Sequence, residues 1–89
     1  MDNLSEQINN LQVGDFVLVK IDGEPTWFNV IRFIGKNELV GIPMYEETYE
    51  RVGNHPQVRI FKQTIMQCKK LKDWEDPRFF TWLAVHKIV

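Results

Sequence analysis

Nucleophilic chemistry in this 89-residue chain would have to be built from Ser5, Cys68, His55 and His86, and their spacing does not build it. Ser5 is the only serine and stands in a polar N-terminal stretch. Cys68 lies 13 residues from His55 and 18 from His86, with no motif that would activate a thiolate. Zinc asks for three or four Cys, His or acidic ligands at characteristic spacing, which two isolated histidines do not supply. His55, directly before Pro56, reads as a solvated turn residue. Gly14, Gly23, Gly35, Gly41 and Gly53 each stand alone, so no phosphate-cradling loop is present. Carboxylates that fall close together, such as Asp22 and Glu24, do so in turns, where solvated charge is the ordinary explanation. The sequence therefore predicts no catalytic residue, no metal site and no cofactor; the chain is expected not to be an enzyme.

Binding chemistry is better represented. Trp27 and Phe28 follow directly after the turn signal "DGEP", and Tyr45 and Tyr49 flank the acidic run that begins with Glu46 and Glu47. Trp and Tyr dominate interaction hot spots, and carboxylates beside aromatics favour a cationic guest. Trp27, Phe28, Tyr45, Glu46, Glu47 and Tyr49 are thus the candidates for a peptide or protein partner, with Phe28 better suited to the core and Trp27 suited equally to a surface site or to the core or a place beneath the C-terminal segment. Replacing Trp27 with Ala is expected to abolish partner capture at little cost in melting temperature. Between Arg59 and Lys72 the chain carries Arg59, Lys62, Lys69, Lys70 and Lys72 without one acid, an alternative footprint for nucleic acid. A third set, Phe79, Phe80 and Trp82 in "WEDPRFFTWLAVHKIV", is too apolar for a free tail. It either covers the rest of the chain or joins two copies.

The elements that must position these residues can be read from periodicity. Leu4, Ile8 and Leu11 share one face of a short helix that Asn3 or Ser5 can cap. From Val13 the period changes to that of strands. "VGDFVLVKI" and "WFNVIRFI" are rich in β-branched and aromatic residues and apolar on both faces. In the second, Phe28, Val30 and Ile34 are expected to alternate against Trp27, Ile31 and Phe33. A four-residue loop containing Pro25 joins the two, "GKN" makes a tight turn, and "ELVGI" forms a third strand ending at Pro43. After the polar segment "MYEETYERVGNHP" a fourth strand, "QVRIF", is followed by a turn at 62–64 and a fifth strand, which a closed meander requires. Asp76 and Pro77 are a helix start for residues 77–86.

Five short strands in this arrangement resemble the SH3-like small barrels, and among them the Tudor-type modules. "VGDFVLVKIDGEPTWFNVIRFI" resembles their opening strand, acidic-glycine turn, aromatic pair and second strand, and "LVGIPMY" is similar to their third strand ending in an aromatic. The resemblance spans about residues 12 to 71. It implies a mainly β, five-stranded Tudor-like barrel in which Trp27 or Phe28, with Tyr45, walls a cage for methylated Lys or Arg. The acidic run after Tyr45 departs from the short glycine turn of that pattern.

Bulk properties frame these expectations. A chain this short buries only about 60 to 65% of its unfolded surface, leaving little for a deep active site. With one cysteine no intrachain disulfide can form. No apolar run approaches the ~20 residues of a membrane span, and "MDNLSEQINN" lacks the features of a signal peptide, so a cytoplasmic protein without membrane association is expected. Charge is polarised: residues 1–50 carry nine acids and three bases, a net −6, and residues 51–89 carry eight bases and three acids, a net +5. The expected organisation is an N-terminal helical segment at 1–11, a small barrel at 12–72, and an aromatic-rich segment at 73–89 that covers the barrel or mediates association. The expected role is a non-enzymatic, regulatory protein-interaction module, monomeric or homodimeric. Nucleic-acid binding through residues 59–72 and homo-oligomerisation through the C-terminal segment are the alternatives.

Overall fold

A computed structural model describes residues 3–44, 57–79 and 81. They form a mainly β unit with one five-stranded antiparallel sheet. Helix α1 (Leu4–Asn9) is followed by strands β1 (Phe16–Ile21), β2 (Glu24–Ile34), β3 (Glu38–Pro43), β4 (Val58–Phe61) and β5 (Gln67–Lys69), in the order β4-β3-β2-β1-β5. The Asn3 side chain caps α1, its Oδ1 accepting from the Glu6 N–H at 2.8 Å. This helix is too short to persist alone; Ile8 and the following Leu11 pack it on the core.

The β1–β2 connection is tighter than a four-residue loop. Asp22 (φ 51°) and Gly23 (φ 84°) form a two-residue turn with both centres left-handed, as a type I′ hairpin requires. Pro25 is therefore inside β2, opposite Lys20. Its missing N–H costs no ladder bond, because in such a hairpin that pair is not hydrogen-bonded and the β2–β3 ladder reaches only to Phe28 and Pro43.

Both faces of β1 and β2 are apolar, and each is covered. Val17, Val19, Phe28, Val30, Leu39, Ile60, Ile65 and Leu11 form the larger core. Phe16, Ile42 and Phe79 form a second one on the opposite face, with Trp27, Ile31, Met44, Leu71 and Trp74 around it. Phe33 departs from the simple alternation. The β2–β3 register runs from Val30↔Gly41 to Arg32↔Val40, which leaves Ile31 as a bulge. One extra residue inverts the phase beyond it, so Phe33 joins the face of Phe28 and Val30 instead of that of Trp27.

A turn at 62–64 followed by a fifth strand is present, but the sheet is not closed. β4 pairs only with β3 and β5 only with β1 among the described residues. The 3-10 turn Lys62–Thr64 carries the chain between the two edges. After it, the Met66 N–H donates to the Leu18 carbonyl at 2.8 Å. Ile65, buried in the larger core, fills this crossover with a side chain in place of ladder hydrogen bonds. The start of the C-terminal helix is also present. The Asp76 carboxylate accepts from the Arg78 N–H at 3.0 Å, Pro77 takes the first helical position, and residues 77–79 and 81 are helical. The rest of the expected 77–86 helix lies outside the described residues. No helix among the described residues is long and apolar enough to cross a membrane.

Candidate functional site

Strand register decides which candidates can meet. Phe16 lies opposite Asn29 on β2 and Lys69 on β5, and Leu18 lies opposite Trp27 and Gln67. Directly opposed residues share a face, so Trp27, Phe16 and Lys69 all project to the second face of the sheet. Phe28 projects to the other. It is 1% exposed, packed in the larger core with Val17, Val30 and Leu39. Tyr45, Glu46, Glu47 and Tyr49 lie outside the described residues, as do Phe80 and Trp82.

On the second face the chain returns over Phe16. Trp74 stacks on the Phe16 ring, with centroids 3.9 Å apart and planes at 13°, and Phe79 meets the same ring edge-on at 5.0 Å. Trp27 meets Trp74 at 5.8 Å with planes at 76°. Two indole walls nearly at right angles make a corner, and a cation occupies it: the Lys69 ammonium is 5.7 Å from the Trp27 centroid and 5.8 Å from that of Trp74. Glu75 stands beside the ammonium at 3.8 Å. Trp27, Lys69, Trp74, Glu75 and Asp76 line an open groove of about 230 Å³ there. The Arg78 side chain, hydrogen-bonded to Asp76, holds that carboxyl below its ordinary pKa. The Trp74 indole N–H is buried and finds no acceptor among the described residues.

The five basic candidates for nucleic acid do not lie along one strand. Arg59 is on β4, at one edge of the sheet, and Lys69 is on β5, at the other. Arg59 is bound to Glu38, its Nε donating to Oε2 at 3.0 Å, and Lys62 lies 5.3 Å from the centroid of the Phe33 ring. Lys70 donates to the Asp15 carboxylate at 2.9 Å and to the Asn10 carbonyl at 2.8 Å. Lys72 is exposed.

Asp15 is the most deeply engaged charge in the described structure. Its two oxygens accept from the Gln12 N–H at 3.0 Å, the Leu71 N–H at 3.1 Å and the Lys70 ammonium. Gly14, at φ 99°, makes the turn that presents this carboxylate, and the Asn29 amide secures the turn by donating to the Gly14 carbonyl at 2.8 Å. The node ties the segment before β1 to the segment after β5. A crevice of about 350 Å³ beside it, lined by Gln7, Asn10, Leu11, Cys68, Lys69, Lys70 and Asp73, is larger than the aromatic groove. Size does not make it the better site: its Lys70 is already committed, and it has no aromatic wall. Cys68 sits there as an inert thiol, its pKa pushed up to about 11 by burial first and then by the Asp15 carboxylate, against an opposing effect of Lys70. No cluster of three or more His, Cys, Asp or Glu side chains suited to a metal ion occurs among the described residues.

The C-terminal segment was expected to cover the barrel, and Trp74 does so beside Trp27; Lys69 was not legible as a neighbour of Trp27 from composition. The signal that finds it is register: with Phe16 opposite Lys69, the basic residue shares a face with Trp27. No family model, no curated protein and no solved structure matches this chain.

Proposed function

We propose that this chain is a non-enzymatic protein-interaction module of the SH3-like, Tudor-type small-barrel class, which captures a peptide or protein partner by taking one of its cationic side chains into the corner of Trp27 and Trp74. The observation that carries this reading is the pair of indole faces at 76° with an ammonium near both. Indole faces attract cations through their quadrupole, by about 0.5–1 kcal/mol at exposed sites and more when water is excluded. Both rings are half-buried, so they are held in place and yet reachable. The second wall is Trp74 in this reading, where the resemblance alone implied Tyr45.

Nucleic-acid binding has less support, because four of the five basic candidates have a partner within the chain and they stand on both edges of the sheet. Self-association through Phe79 is likewise weakened, since that ring is fully buried against Phe16 in the same chain. The test is affinity capture from source lysate with the intact chain and with Trp27→Ala, each with and without nuclease. Capture that survives nuclease and is lost in Trp27→Ala is expected. Capture that nuclease abolishes, or that Trp27→Ala retains, overturns the proposal.

A further inference from the structure

Lys69 and Lys70 are adjacent, point to opposite sides of β5 and its continuation, and are held very differently. Lys70 has two short hydrogen bonds, one of them to a carboxylate whose side chain is 6% exposed. Among the described residues, Lys69 has one ion pair, at 3.8 Å to a Glu75 side chain that is 89% exposed, and its head group otherwise meets the faces of Trp27 and Trp74. An ion pair that long and that exposed holds a side chain weakly. The first lysine is thus placed to leave the corner, and the second is placed to keep the strand where it is.

We infer that Lys69 is an internal competitor for the aromatic corner: it fills the cation site in the free protein, and a partner's cation must displace it. This rests on the reading of the corner as a cation site. Three features of the geometry support it. The ammonium lies at nearly equal distance from both rings, which is where a guest would be attracted by both. Glu75 is near enough to accompany either cation, so exchange leaves no carboxylate stranded. Lys69 belongs to a strand fixed by the pairs Phe16↔Lys69 and Val17↔Cys68, so its stem stays in register while its head group swings out. Because the corner is partly filled in the free chain, apparent affinity for a guest is reduced by the fraction of molecules in which it is empty. For an interaction of the strength usual at exposed rings, that reduction is about three- to sixfold.

The experiment uses the full chain and tetramethylammonium chloride as the probe, with sodium chloride at equal ionic strength as the control, followed by NMR of the two indole N–H signals and the Lys69 ε-methylene. In the free protein the ε-methylene protons are expected upfield of those of Lys72, shifted by the two rings, and the probe should return them to the exposed position as the indole signals move. Lys69→Gln should bind the probe about three- to sixfold tighter than the parent chain, whereas Lys72→Gln, which makes the same charge change at an exposed position, should not. If the probe binds but Lys69→Gln and the parent bind it equally, or if the ε-methylene lies at the exposed position from the start, the competitor role is overturned and the cation site stands. If the probe moves neither indole signal in the parent or in Lys69→Gln, both are overturned.

Discussion

The two faces of this sheet are built by alternate residues of the same strands and differ in what closes them. One face is aliphatic apart from Phe28 and Phe33, and sealed within the fold by Leu11, Ile60 and Ile65. The other is aromatic and covered by the chain that follows β5, through Trp74 and Phe79. On the first face the described core residues are almost wholly buried. On the second, Trp27 and Trp74 remain partly exposed, with Lys69, Glu75 and Asp76 at their rim. Branched aliphatic side chains pack without polar atoms to satisfy, and therefore stabilise. Indoles keep a π face and an N–H, and a rim of charge beside them is what recognition uses. In the function proposed above, the division of labour between stability and binding would follow the alternation of the strand.

That comparison can be broken most severely from the sealed side. Phe28→Ala should cost about 3–5 kcal/mol, roughly half the stability of a domain of this size, and chemical denaturation would measure it. A loss under ~1 kcal/mol would mean that the aliphatic face is not the main core. Gly41 belongs to the same prediction, since a Cβ there would stand 2.9 Å from the Cβ of Phe28. Next in size is Asp15→Asn. An amide can accept at one of the two positions where the carboxylate now takes the Leu71 N–H, the Gln12 N–H and the Lys70 ammonium. The expected loss is about 2–3 kcal/mol, because Lys70 is partly solvated and a buried donor is left unpaired. Hydrogen exchange should rise at Leu71 and Gln12 together; a rise at only one would show that the two segments are not tied by this residue.

On the aromatic face the effects should be smaller. Trp74→Ala removes the ring stacked on Phe16 and should cost about 2 kcal/mol, and Trp27→Ala about 1–2 kcal/mol, as half-buried aromatics do. For a domain this small the latter is roughly 4 to 16 °C in melting temperature, more than the near-zero change expected from sequence for a surface aromatic. Equal losses at Phe28 and Trp27 would erase the distinction between the faces.

Much of this was legible in residue order, and the part that was not has a physical reason. The helix through Leu4, Ile8 and Leu11, the strands, the 62–64 turn and the Asp76-Pro77 start follow from local periodicity and capping chemistry. The position of Phe33 does not, because a bulge at Ile31 is a property of two strands together and inverts everything after it. Closure of the sheet was not legible either: whether β4 and β5 pair depends on where five intervening residues lead, and here Ile65 turns into the core. Among the site residues, Trp27 is conspicuous by type, and an aromatic-rich C-terminal segment covering the barrel was expected, with Trp74 the residue that does so here. Lys69, 42 residues further along the sequence than Trp27, shares its face only through β-register, which composition does not record.

The slightest perturbation concerns Cys68, which directly precedes the loose and the locked lysine and faces the sealed side. Its thiol pKa is raised from 9.0 to about 11, mainly by burial. A group whose pKa is higher in the folded chain than in the unfolded one binds its proton more tightly when folded, so its contribution to stability is complete below pH 9 and lost as pH rises through about 11. No change is expected near neutrality, and the alkaline loss should be small because the side chain is only half-buried. The sharper readout is reactivity. Two pKa units leave about one-hundredth of the thiolate of an ordinary cysteine, so alkylation at pH 8 should be slower than that of a free thiol by one to two orders of magnitude. Asp15→Asn should speed it by removing the neighbouring negative charge, while Lys69→Gln, acting on the opposite face, should leave it unchanged. If Lys69→Gln altered the rate as much as Asp15→Asn does, the two sides of β5 would share one electrostatic environment, and the separation between a stabilising face and a binding face would fail at the strand where it is most finely drawn.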